Sequence, residues 1–379
     1  MDSRVKPMRT GVHEANNQVR EEHEIPPIVL QDTSPNIYNG NEQQLEAIQA
    51  IYGPILTFMK LGGIYFGDTS FKRLRQLSTT GSKRKISIAR VYCTAIVASL
   101  WFSFAMSIVS LCVEGSSVLQ NLYTLITFAM WYFVLAIVAT TCLFVLPLNE
   151  GKKSRFEKFV ANLIERRVDL ATLKLYSRKG LILAIFIFLV STFNVLAAFQ
   201  LMPDLTVAFY KPWKDWYGFR IFCLVSMIFS CIVWLLPTLF FCLTCLVLER
   251  QFDCFCKRVC FLDLNQSLDI TALKEEHQKL CETVSLADKI FSSSLLEVFS
   301  VTIPLLCFNF YAAINPPVTN EGSSIPFSIF GGVYWLLSSA AILSLITVFG
   351  SRVNEKICSV QSILQSIKVP DGAEGKVHE

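Results

Sequence analysis

The sequence predicts an all-α fold, a polytopic membrane helical bundle of about six transmembrane helices with long helical cytoplasmic linkers and a cytoplasmic N-terminus. Three observations predict it. Six long runs carry no charged residue. The charges are gathered into blocks between those runs. The composition agrees: 53% of the residues are hydrophobic and 17% charged, with a mean hydropathy of +0.46, against about 25% charged residues in a soluble domain. Charge is costly inside hydrocarbon, so the linkers of a membrane protein must hold nearly all of it.

A spanning helix needs about 20 consecutive, mostly apolar residues. The uncharged runs are Val91 to Val113, Gly115 to Asn149, Gly180 to Pro203, Ile221 to Leu248, Val298 to Asn320 and Gly322 to Ser351. They place the spans at about 91–113, 121–147, 180–203, 221–248, 296–316 and 326–350, within a bundle covering 90–350. Pro147, Pro237 and Pro304 fall inside or at the ends of these runs, where each kinks a helix or simply packs.

The flanks differ in kind. Residues 1–45 are polar, lack the apolar core of a secretory signal, and read as a disordered cytoplasmic arm. Residues 46–89 form a cytoplasmic or interfacial segment ahead of the first span, and 351–379 a cytoplasmic tail. The net charge of +4 is too small to argue for a nucleic-acid partner.

Orientation follows from the basic residues, which concentrate in cytoplasmic loops. With the N-terminus inside, all of the 34 Lys and Arg residues except Lys211, Lys214 and Arg220 fall on the cytoplasmic side. The linkers around Glu114 to Asn121 and around Glu321 hold none. Six spans then return the C-terminus to the cytoplasm, which suits a multi-pass protein of the plasma membrane. The sequon at Asn265, Gln266 and Ser267 lies inside and escapes glycosylation.

Ile48 to Phe66 is a weaker apolar stretch. As a seventh span it would put the N-terminus outside, the topology of a G-protein-coupled receptor. Pro54, Lys60 and the Gly62–Gly63 pair are poor residues for mid-membrane helix, and they favour a cytoplasmic or interfacial helix against the inner leaflet.

In the inner linkers, Phe156, Phe159, Val160, Leu163, Ile164, Leu170, Leu173 and Leu175 recur near helical spacing. So do Leu273, Leu280, Val284, Leu286, Ala287, Ile290 and Phe291. This predicts that spans two and three continue into the cytoplasm as amphipathic helices, forming a packed layer or a solvated hairpin. Cys254, Cys256 and Cys260 lack the spacing and the histidine of a zinc site, which leaves palmitoylation beside Lys257 and Arg258 or buried free thiols. No outer loop offers a cysteine pair for a disulfide.

The sequence shows no Gly-rich phosphate loop, HExxH or GxSxG. The spans hold no charge for a proton relay or ion-coupled transport. An enzyme is not indicated, and neither is a metal or cofactor. What the spans do hold is aromatic: Trp101, Tyr123, Trp131, Phe193, Tyr311 and Tyr334 lie toward their outer halves, among Asn194, Gln200 and Asn309. An apolar pocket opening outward, with Trp101, Tyr123, Trp131, Phe193 and Tyr334 as its candidate lining, would suit a small neutral ligand. Interfacial belts and bundle packing explain the same residues.

One stretch is more specific. His277 to Leu280, then Asp288 to Phe291, then Leu295 and Leu296, resembles a pattern of the insect gustatory receptor family and its gustatory-receptor-like relatives in other animals, nematodes included. Val353 to Lys356, with Glu355, and Leu364 resemble the acidic segment that follows the family's sixth helix. Tyr52 to Leu56 and Lys60 to Gly63 are similar to its stretch ahead of the first helix. The resemblance covers about residues 45 to 365. It implies a chemoreceptor in the bilayer, a homo- or hetero-oligomer (a tetramer in that family), gating cations when a small molecule binds in the outer half of the bundle. It also implies a cytoplasmic packing motif of His277, Leu280, Asp288, Phe291, Leu295, Leu296 and Glu355. Asp288 stands where the family has Asn. The family's seventh, pore-lining helix with its Thr-Tyr and Gln-Phe signature has no counterpart before Glu379, so the expectation is a chain that keeps a ligand pocket and carries no current alone.

Overall fold

The computed structural model describes residues 37–67, 88–114, 119–146, 155–165, 171–201, 216–264, 270–314 and 325–366. The sequence-based readings of the N-terminal arm, of Lys211 and of the tail beyond Ser366 fall outside them. The described residues form eight helices: α1 (Ile37–Leu61), α2 (Ile88–Glu114), α3 (Leu119–Val145), α4 (Arg155–Glu165), α5 (Ala171–Leu201), α6 (Tyr217–Leu264), α7 (Ile270–Ile314) and α8 (Ile325–Ser366).

Six of them, α2, α3, α5, α6, α7 and α8, are long and apolar enough to cross a bilayer. The chain is a multi-pass helical membrane protein. Its apolar surface is correspondingly large where lipid would lie: Ile182, Phe186 and Phe193 on α5 are 67%, 62% and 71% exposed. At 1.5 Å per residue, a 48-residue α6 runs about 70 Å, over twice the hydrocarbon thickness. So α6, α7 and α8 project beyond the membrane as continuous helices. Pro237 and Pro304 sit inside α6 and α7 without ending them.

α6 is the hub. It packs on α8, α5, α3, α2 and α7, and 67% of its most apolar stretch is buried, against 17% in α5 and α8. α2 and α3 share the most extensive contact of any two helices, and α7 packs on α3, α4 and α8. A polar seam crosses the apolar interior where buried Ser103 of α2 meets buried Ser226 of α6 at 2.8 Å.

α1 is the helix read from sequence as cytoplasmic or interfacial. Its apolar face is not open to lipid: Ile48, Ile51, Tyr52, Ile55, Leu56 and Met59 are covered by protein. The Tyr52 ring lies edge-on to Phe156 of α4 and Phe240 of α6, at 5.9 and 5.7 Å. Ser177 of α5 donates its hydroxyl to the Ile51 carbonyl at 2.7 Å. α1 is also not among the helices fit to span. It ends where the sequence said a span could not continue. Gly63 takes φ +72°, Ile64 N–H reaches back to the Met59 carbonyl and Gly63 N–H to the Lys60 carbonyl. This is the glycine-terminated cap that closes many helices. The glycines also allow close approach, since a Cβ on Gly62 would lie 2.4 Å from Ile232 of α6 and one on Gly63 2.5 Å from Ile96 of α2. Tyr92 Oη donates to the Leu61 carbonyl, fixing the end of α1 to α2.

A difference from the sequence reading concerns α4. Span two does not continue into the linker, because α3 stops at Val145 and α4 is a separate short helix. Its apolar face is the one expected, with Phe156, Phe159, Val160 and Leu163 buried and Arg155 and Lys158 exposed. Arg155 caps the contact by donating to the Lys289 carbonyl of α7. Span three does extend past its uncharged run into the linker, α5 starting at Ala171.

Candidate functional site: a tryptophan cluster between four helices

Trp131 of α3, Trp234 of α6 and Trp335 of α8 meet in the bundle. The Trp131 ring lies 4.5 Å from Trp234 and 5.0 Å, edge-on, from Trp335. Trp131 and Trp234 are buried. Spacings this short are typical of favourable aromatic pairs. The Trp131 Nε1–H donates to Ser230 Oγ at 3.4 Å, and the Ser230 hydroxyl is itself spent on the Met227 carbonyl. Next to Trp335, the Tyr334 hydroxyl is hydrogen-bonded to Ser191 of α5. Asn194, one turn further along the same buried face of α5, lies beside Gly331, where a Cβ would meet its Oδ1 at an ordinary 3.8 Å.

Two buried donors of this neighbourhood, Trp234 Nε1 and Asn194 Nδ2, have no hydrogen-bond partner among the described residues. An unpaired buried donor is unfavourable by roughly 1–3 kcal/mol, so it is the feature a bound acceptor would satisfy. No charged side chain belongs to the cluster. Ring faces and N–H donors without countercharge match a neutral, largely apolar molecule carrying an acceptor.

Below the cluster, toward the helix ends that carry Glu249 and Arg352, lies a cavity of about 50 Å³. Trp234 forms part of its wall, with Leu135, Pro237, Phe240, Phe291 and Ile342. Trp234 is therefore common to the cluster and the cavity.

The candidate pocket residues take different places. Trp131 and Tyr334 come together as described. Trp101 sits on α2 beside Phe104 and Phe133, its Nε1–H donating to Thr140 Oγ1 of α3 at 3.0 Å. Phe193 faces away from the bundle. Tyr123 belongs to α3, and its side chain lies outside the described residues. Of the four whose side chains are described, none lines the cavity. Trp234, Trp335, Ser191 and Ser230 were not singled out from sequence, because a Trp or Ser in an apolar run carries no mark of which neighbour it meets.

The candidate packing motif divides by face. Leu280 is fully buried. Phe291 packs on Phe240 and Phe241 at 5.5 and 5.3 Å, and with Leu295 it lines the cavity. His277 stands against the Phe255 ring and the Cys281 thiol. Asp288, Leu296 and Glu355 are exposed. Beneath, α6 is tied to its neighbours by ion pairs of Glu249 with Arg352 at 2.7 Å, Asp253 with Lys356 at 2.8 Å and Arg258 with Glu276 at 2.8 Å. Cys254 and Cys256 are half-buried free thiols and Cys260 an exposed one, and no group of metal-ligating side chains occurs among the described residues.

No protein-family model matches the sequence, and no curated protein matches it. Among solved structures the chain is similar to the insect olfactory receptor OR5 from Machilis hrabei. The TM-score is 0.61 over 80% of this chain and 79% of that one, at 15% identity. At that identity the likeness is one of fold.

Proposed function

We propose that this protein is a chemoreceptor of the gustatory-receptor-like kind, resident in the plasma membrane with both termini in the cytoplasm. Its ligand is a small neutral molecule held among Trp131, Trp234, Trp335, Tyr334 and Asn194. The observation that carries the reading is the convergence of aromatic faces with two unpaired buried donors, in a bundle whose fold is shared with a receptor for odorants. The sequence resemblance to gustatory receptors supports the same class independently of the fold. It also supplies the output, a cation conductance through an oligomer, tetrameric in that family.

The test is calcium entry in cells expressing the chain, alone and together with a gustatory receptor. Small neutral esters, ketones and terpenoids are expected to act and their charged analogues to fail. Trp131→Ala and Trp234→Ala should abolish the response when compared with the wild type at matched surface density. Responses to neutral compounds that survive both substitutions would refute the site. The seven-span, G-protein-coupled alternative has less support, because α1 is not apolar enough to count among the spanning helices and its apolar face is covered by protein up to its end at Gly62–Gly63.

A further inference from the structure

We propose that the outward face of α5 binds an anionic phospholipid. The headgroup sits on Lys174, Arg178 and Lys179, and the acyl chains lie along Ile182, Phe186 and Leu189. This rests on the membrane-spanning fold and is independent of the proposed receptor function.

α5 presents two unlike faces. Leu173, Ser177, Ala184, Ser191 and Asn194 are buried against the bundle. The opposite face is open from end to end. Lys174, Arg178, Ile182 and Phe186 follow one another at four-residue intervals and so lie one above the next. All four are exposed, as are Lys179 and Leu189. The cations end where the uncharged run begins, at Gly180. That is the level at which long basic side chains reach lipid headgroups while their stems remain on apolar surface.

The charge on this face is unmatched. α5 contains no Asp or Glu, and none of the three cations forms an ion pair with a described residue. The comparison within the molecule is direct: at the ends of α6 and α8, Arg258, Arg352 and Lys356 each face a carboxylate at 2.7–2.8 Å. Three exposed cations without acids, continuous with an apolar face built for acyl chains, match a molecule that is anionic at one end and apolar along its length. A phospholipid with a net negative headgroup has that chemistry. Each cation near such a surface strengthens attraction by about fivefold in affinity.

The experiment is native mass spectrometry of the purified full chain in neutral detergent, titrated with dioleoyl phosphatidylserine or with dioleoyl phosphatidylcholine. The wild type should bind phosphatidylserine in clear preference. Lys174→Gln/Arg178→Gln/Lys179→Gln should fall to the phosphatidylcholine level. Lys174→Arg/Arg178→Lys/Lys179→Arg, which keeps the charge, and Lys257→Gln/Lys274→Gln, which removes two exposed cations elsewhere, should retain the preference. Soluble glycerophosphoserine should not compete, because it lacks the chains. No preference in the wild type, a preference surviving the triple Gln variant, an equal loss in the Lys257/Lys274 variant, or competition by glycerophosphoserine would each overturn the proposal. So would an Ile182→Cys variant that cross-links quantitatively to a second copy, since that face would then be covered by protein.

Discussion

The indole of Trp131 lies 4.5 Å, centroid to centroid, from that of Trp234, and only the first of the two has a hydrogen-bond partner for its N–H among the described residues. The two rings are equivalent as packing and different as chemistry. Trp234→Phe keeps an aromatic ring and removes the unpaired donor, so it should leave thermal stability unchanged or raise it by about 1 kcal/mol. Trp234→Ala should lower it by about 3–5 kcal/mol. Unfolding of the detergent-solubilised variants measures both, and a Phe variant as unstable as the Ala variant would show that the N–H is paired.

Ser103 and Ser226 give a directional prediction. The Ser103 hydroxyl has one proton, and the Ser99 carbonyl at 2.9 Å is placed to take it, which leaves Ser226 as donor across the 2.8 Å contact. Ser226→Ala leaves Ser103 still bonded within its own helix. Ser103→Ala orphans the Ser226 hydroxyl in a buried place. The second change should therefore be the more destabilising, by about 1 kcal/mol, and the double variant should fall short of additivity. Equal single effects that add would contradict the assignment.

Gly63 is constrained twice over. Its φ of +72° disfavours any residue with a Cβ, by roughly 1–2 kcal/mol, and that Cβ would meet Ile96 Cγ1 at 2.5 Å. Gly63→Ala should reduce stability and surface expression. Adding Ile96→Ala should recover only the steric part. Wild-type behaviour of the single variant would mean that α1 does not close against α2 as described.

The spans were legible because a 20-residue uncharged run has few other destinations. What lay beyond reach was which apolar side chains meet protein and which meet lipid, since the two environments are alike in polarity. Tyr52 and Phe193 show it. Tyr52 is sealed between α4 and α6, while Phe193 is 71% exposed, and nothing in their local sequence separates them. The helical period in Phe156 to Leu163 revealed the buried face of α4 but not the break before it. Of the tryptophan cluster, the aromatic character was visible and the convergence was not: Trp131, Trp234 and Trp335 are about a hundred residues apart in succession.

The ion pairs below the bundle should be modest and sensitive to salt. Glu249 and Asp253 are one turn apart on α6, and Arg352 and Lys356 one turn apart on α8, so the two pairs form parallel rungs. The basic partners are 49% and 37% exposed. Exposed pairs contribute at most about 1 kcal/mol and are screened within about 10 Å at 0.1 M salt. Arg352→Gln with Lys356→Gln should lower the melting temperature at low ionic strength and converge on the wild type in high salt. A deficit that persists undiminished in high salt would show that the rungs hold the helices by packing.

Topology has its own check. A cysteine replacing Lys257, in a chain whose other exposed thiols are removed, should react with a membrane-impermeant maleimide only after permeabilisation, and one replacing Lys211 should react on intact cells. The reverse pattern would invert the orientation assigned from the basic residues.

The central claim is that a small neutral molecule binds at the tryptophan cluster, and the most direct measurement is energy transfer. 1-Aminoanthracene, a neutral aromatic probe, accepts excitation from nearby indoles. Added to the purified chain, it should quench tryptophan emission saturably and be displaced by small neutral esters or ketones. Trp131→Ala and Trp234→Ala should weaken binding at least tenfold, a change of about 1.4 kcal/mol, while Trp101→Phe, away from the cluster, should not. Saturable binding that both cluster variants leave unaltered, or no saturable binding to the folded chain, would contradict the account.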